Sequence, residues 1–188
     1  MKDKRFQFAL IFLVFALGLN VVYFWFQNTG ISLYERSVVA IKKNDPEGML
    51  LLKKSVEERY PPALVLYGNY IEDTHPEAAE VYYKEASAQQ YPEGMFNLSR
   101  FYLQKNETEK GLPLLVKAAD LQSENAQILL AQLLFEGAGI EKDRMKAILL
   151  LKKLDQSGNA KARGFLEKYV ELLEPNEKKQ LIELLSRK

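Results

Sequence analysis

The stretch EGAGIEKD, residues 136–143, holds two glycines two positions apart just ahead of an apolar helical pattern. Backbone N–H groups in such a turn can cradle a phosphate at a helix N-terminus. A nucleotide loop also needs a preceding strand and either a third glycine or a Lys-Ser/Thr pair. None is present, so the glycines read as a turn between helices, with positive φ where the chain reverses. The chain has one histidine, His75, and no cysteine. A Ser-His-Asp triad or a multi-histidine metal site would have to be built around His75 alone. Disulfides, thiolate metal sites and a cysteine nucleophile are excluded. His75 stands before Pro76 at a helix start and reads as a loop residue. The Asp and Glu residues are spread along helix faces, with no paired-carboxylate signal for acid–base work. The expectation is a protein that is not an enzyme and uses no metal and no cofactor. Lys plus Arg number 26 and Asp plus Glu 25, so the charge balance does not point to nucleic acid.

Residues 6–26, FQFALIFLVFALGLNVVYFWF, carry no charge, and only Gln7 and Asn20 are strongly polar. At about 1.5 Å per residue this length spans a hydrocarbon core of about 30 Å. Tyr23 and Trp25 fall where amphipathic rings favour the headgroup layer. Lys2, Lys4 and Arg5 precede the segment, and Arg36 is the one basic residue in the fifteen that follow it. That bias favours an N-terminus inside and the remainder outside. The expected organisation is a short basic N-terminus (1–5), a transmembrane anchor (6–26), a linker (27–31) and a folded domain (32–188). A five-residue linker reaches at most ~18 Å, which would hold the domain close to the bilayer. The rival reading is a cleaved signal peptide, with small residues at Ala16-Leu17-Gly18, although eight bulky residues continue the apolar run beyond it.

From Ser32 onward short helical patterns alternate with Pro, Gly, Asn and Asp breaks, with no sustained period-2 alternation. The reading is all-α, with helices at 32–43, 45–58, 62–72, 76–89, 92–104, 107–121, 125–136, 143–156, 159–173 and 176–187. Asp45, Asn106 (with Glu109 three residues on) and Asp143 are expected helix caps. Small residues fall into columns when the helices are registered. Ser37, Gly68, Ser99 and Ala131 are 31, 31 and 32 residues apart. Gly48, Ala79, Gly111 and Ala147 form a second column, and Ser55, Ala86, Ala118 and Leu154 a third. Two helices approach closely only where side chains are small. Each pair then buries a full face only by stacking on its neighbours, which makes a solenoid of about four repeats and a terminal pair.

The segment 126–162 carries Ala126, Ala131, Gly137, Gly139, Ile140, Asp143, Lys146, Ala147, Gly158 and Ala162. This pattern resembles the Sel-one-like repeat (SLR), a relative of the tetratricopeptide repeat. Leu154-Asp155 departs from the usual Ala-Ala, which Ala118-Ala119 keeps in the preceding repeat. The resemblance is strong over 126–162, fair over 62–125 and weak over 32–61. It implies a right-handed α-solenoid of antiparallel helix pairs that binds other proteins and is frequently secreted or anchored in bacterial envelopes. In that geometry the first helix of each pair lines the concave surface. The outward positions there are Tyr34, Val38, Val65, Asn69, Phe96, Asn97, Arg100, Ile128 and Gln132, which form the expected partner-binding groove. Tyr60, Tyr67, Tyr70, Tyr82, Tyr83, Tyr91 and Tyr102 crowd the middle of the chain and are expected mostly in the core.

The functional expectation is a single-pass protein of a bacterial inner membrane, with its N-terminus cytoplasmic and its repeat domain periplasmic. It would act as a scaffold or regulator that binds a protein partner. Other readings are an immunity-type protein that neutralises a toxin, an envelope enzyme, and a cytoplasmic adaptor of reversed topology.

Overall fold

Helices start where a residue satisfies the first-turn N–H groups or removes one of them. The computed structural model describes residues 29–186. Thr29 accepts the Ser32 N–H and opens α1 (Gly30–Lys42). Asp45 accepts the Glu47 N–H at 2.9 Å ahead of α2 (Glu47–Glu57). Proline leads α3 (Pro61–Ile71), α4 (Pro76–Ala88) and α5 (Pro92–Gln104). There its fixed φ suits the helix and its missing N–H is one that needs no partner. α6 (Thr108–Asp120) follows a tight turn. Ser123, Asp143 and Asn159 cap α7 (Glu124–Glu136), α8 (Arg144–Gln156) and α9 (Ala160–Glu171) through their side chains. α10 (Pro175–Ser186) closes the described chain.

Among the described residues there are ten helices and no strand, each boundary within two residues of its sequence expectation. Two local expectations are corrected. The first helix begins at Gly30, so residues 30 and 31 of the expected linker are its first turn. Asn106 is not a cap. It sits at φ +60 in the turn before α6, a left-handed conformation that asparagine tolerates, and α6 has no side-chain cap. The basic N-terminus and the apolar segment 6–26 lie outside the described residues. No helix among the described residues is long and apolar enough to cross a membrane.

The chain divides into two compact units inside α4, between Tyr82 and Tyr83. In the first unit α1 packs on α2 and α2 on α3. Ser37, Gly48, Ser55, Gly68 and Ala79 of the small-residue columns are all buried. A Cβ on Gly48 would stand 2.7 Å from the Ile41 backbone nitrogen, so α1 and α2 meet backbone to backbone. Ser55 Oγ donates to the Gly30 carbonyl. In the second unit α5 packs on α6, α6 on α7, α7 on α8 and α8 on α9. Ala86, Ser99, Gly111, Ala118, Ala131, Ala147 and Leu154 are buried there. Ser99 Oγ donates to the Gly111 carbonyl at 2.8 Å, fastening the close approach of α5 and α6. Met95, Leu115, Ile148 and Leu151 fill the space around the small residues at 1% exposure or less.

The loop of the fourth repeat follows the same logic. Gly137 at φ +76 ends α7, and its N–H returns to the Leu133 carbonyl at 2.8 Å. Gly139, at φ +71, lies against α6: a Cβ there would stand 3.0 Å from Thr108 Cγ2. Asp143 closes the loop by donating its N–H to the Leu134 carbonyl and accepting the Lys146 N–H, both at 2.9 Å. The glycines supply left-handed backbone for a chain reversal, as their spacing implied.

Candidate functional site

The expected groove residues occupy fixed places relative to the small-residue column of the first helices. One place lies three residues before the small residue and holds Tyr34, Val65, Phe96 and Ile128. The other lies one residue after it and holds Val38, Asn69, Arg100 and Gln132. The structure separates the two. Every residue of the second set reaches solvent at least in part. In the first set only the aromatics do. Tyr34 and Phe96 are half-buried, while Val65 and Ile128 are 8% and 2% exposed. A short aliphatic chain at this place is covered by the neighbouring helices, and a ring extends past them. Asn97 is also buried, and its amide donates back to the Glu93 carbonyl at 2.8 Å, within its own helix. Val65, Asn97 and Ile128 therefore leave the expected groove and join the interior.

What remains is a strip in each unit. In the first it comprises Tyr34, Val38 and Asn69. Tyr34 meets the Tyr60 ring edge-on at 5.5 Å between centroids. Burial, and then the neighbouring Tyr60, pushes the Tyr34 hydroxyl above its ordinary pKa, so it stays a neutral donor at physiological pH. In the second unit the strip comprises Phe96 and Arg100 on α5 and Gln132 on α7, helices that touch one another. Of the crowded tyrosines only Tyr83 is buried, at 0% exposure; Tyr70 is 69% exposed and the others lie between. His75 is exposed in its loop, with Nδ1 2.9 Å from Thr74 Oγ1. No group of three His, Asp or Glu side chains among the described residues could hold a metal ion.

Two polar arrangements in the second unit were not foreseen. Glu93, in the first turn of α5, accepts from Ser123 Oγ at 2.7 Å and from the Asn125 amide at 3.2 Å. Glu124, in the first turn of α7, accepts from the Asn159 amide at 2.6 Å. Each first-turn carboxylate thus grips the cap region of the next first helix. The 31-residue spacing of Glu93 and Glu124 was the available signal. The second arrangement closes the C-terminal end. Phe135 and Tyr169 stack at 3.8 Å with planes 6° apart, and Arg144 lies 4.9 Å over Phe135. Arg144 also pairs with Glu177 of α10 at 2.9 Å. Its Nε is buried and makes no hydrogen bond among the described residues. The Glu174 N–H and then the Arg144 guanidinium hold the Glu177 carboxyl below the usual range. Burial raises the Tyr169 hydroxyl, with a smaller push from Glu136.

No protein-family model matches the chain, and no curated protein does. Solved structures do. One is a protective antigen present in uropathogenic Escherichia coli strains that displays an SLR fold. It matches with a TM-score of 0.63 at 19% identity, over 76% of this chain and 33% of that one. Another is a Sel1 repeat protein from Oxalobacter formigenes, with a TM-score of 0.61 at 18% identity, over 72% of this chain and 61% of that one. The chain spans about a third and about three fifths of the lengths of these two proteins. The fold is that of the Sel1-like helical repeat, a class built from stacked helix pairs.

Proposed function

We propose that this chain is a membrane-anchored protein-interaction module of a bacterial envelope, and that it is not an enzyme. The observation that carries the reading is the partly exposed strip beside the small-residue column, Phe96 and Arg100 with Gln132 in the second unit. An aromatic ring and an arginine on rigid helices are the side chains that most often anchor a protein partner. The charge-free segment 6–26 supports an inner-membrane anchor with the repeat domain in the periplasm. Two fold neighbours from bacteria suit that setting, and a role in neutralising a toxin is a narrower form of the same proposal.

The test is the double substitution Phe96→Ala with Arg100→Ala in the full chain. Both side chains reach solvent, so folding should persist by circular dichroism while capture of the partner falls by tenfold or more, about 1.4 kcal/mol or more of binding free energy. Undiminished capture would remove the strip from the site. A C-terminal reporter active on only one side of the membrane checks the topology.

A further inference from the structure

A second surface lies on the other side of α7. An open cavity of about 440 Å³ separates α6 from α8, with α7 as its floor. Val116 stands on the α6 wall, Leu130 and Leu134 on the floor, Leu149 and Leu150 on the α8 wall, and Ile140 at the loop end. At 3.6 residues per turn, Gln132 points about 160° away from Leu130 and from Leu134 around α7, so this groove is distinct from the strip. Lys146 and Lys153 rim the α8 wall. They are two helical turns apart, about 10 Å, with the two leucines between them. Neither is paired with an acid among the described residues. Asp120 stands on the opposite wall.

The geometry points to a docking groove for one amphipathic helix of a partner protein, with an apolar stripe flanked by acidic residues seven apart. An apolar floor between parallel helices takes the i, i+3, i+4, i+7 face of such a helix. The two unpaired lysines fix its charge and its register. The apolar segment 6–26 does not supply that chemistry, because it has no acid at all. The loop 137–143 gains a purpose here, because its Ile140 closes one end of the groove.

The test uses the full chain in neutral nanodiscs, with empty discs as the blank. The probe is a labelled 18-residue helical peptide with a leucine stripe and two glutamates seven apart. Its partner peptide has lysines in place of the glutamates. Fluorescence anisotropy at low salt should show saturable binding of the acidic peptide, about tenfold or more tighter than the basic one. Lys146→Glu with Lys153→Glu, both exposed, should reverse that preference, and Leu149→Arg should weaken both peptides. Equal binding of the two peptides, no saturable binding, or a preference untouched by the charge reversal would overturn the proposal. So would self-association of the chain that the charge reversal abolishes, since a second copy would then fill the groove.

Discussion

The turns at 59–61 and 90–92 can be set beside those at 122–124 and 158–160. Each leads from a second helix into the next first helix. Each places one residue in the left-handed region: Arg59 at φ 56, Gln90 at 60, Gln122 at 66 and Gly158 at 92. In each, the next N–H returns to a carbonyl of the small-residue column, at Ser55, Ala86, Ala118 and Leu154, over 3.0–3.3 Å. The chemistry differs on this common frame. Tyr60 and Tyr91 give no side-chain cap and are followed by proline. Ser123 and Asn159 cap through their side chains and are also the groups that Glu93 and Glu124 grip. The position 31 residues before Glu93 is Pro62, which has no side-chain acceptor to offer. One backbone geometry is thus reached by deleting an orphan N–H or by satisfying it. Glycine, the residue best suited to the left-handed position, stands in only one turn of the four. Such interchange erases a residue pattern while leaving the fold intact, which fits a fold shared at 18–19% identity without a matching family model.

The harshest way to break this shared frame is to thicken it where the helices meet. A Cβ on Gly94 would stand 2.6 Å from Ala86 Cβ and 2.9 Å from the Ala86 backbone. Gly94→Ala should therefore cost about 2–3 kcal/mol, read as a lower urea midpoint. Gly164→Ala, with nothing within 4 Å, should gain about 0.5–1 kcal/mol in the same assay. Equal effects would mean that backbone approach does not set the frame.

The polar and proline turns should separate next. Ser123→Ala removes the cap on the Ala126 N–H and the bond to Glu93, for about 1–2 kcal/mol. Pro92→Ala acts mainly through the unfolded chain and should cost about 0.4–1 kcal/mol. A reversed order would show that the carboxylate grip adds nothing to the cap. A smaller pair tests the left-handed position itself. Gln122→Gly should stabilise and Gly158→Gln destabilise, each by about 0.5–1 kcal/mol in thermal unfolding. Matching signs would refute a common strain.

The mildest test concerns the last helix. Glu177 has its carboxyl pKa lowered in the folded state, so its contribution is fully present above the ordinary glutamate value. That contribution is lost as pH falls through the depressed folded value. Amide exchange in α10 should therefore quicken on acidification relative to the rest of the second unit, and Glu177→Gln should remove the difference.

Much of this was legible in the sequence because the repeat gives every residue a register. Helix limits, the small-residue columns, the glycine turns and the Asp143 cap all follow from local chemistry repeated at about 31 residues. Burial around each helix was harder to read. Val65 and Ile128 share a register with Tyr34 and Phe96, yet ring size decides which of them reach solvent. Asn97 is polar and still buried, because its own helix supplies an acceptor. Asn106 reads as a cap from its type alone, but the preceding turn needed a left-handed residue more. The Glu93 and Arg144 contacts join residues about 30 positions apart, beyond the reach of any local rule.

Glu93–Ser123 and Glu124–Asn159 are fasteners along the first-helix edge, while an open cavity of about 440 Å³ separates α6 from α8. A stack bound along one edge resists stretching and yields to bending about that edge, as a book does about its spine. Its soft mode narrows or widens the space between α6 and α8 without breaking a clasp. The second unit thus concentrates its elastic compliance in one direction, and a load applied there would be felt as a change in the width of that gap.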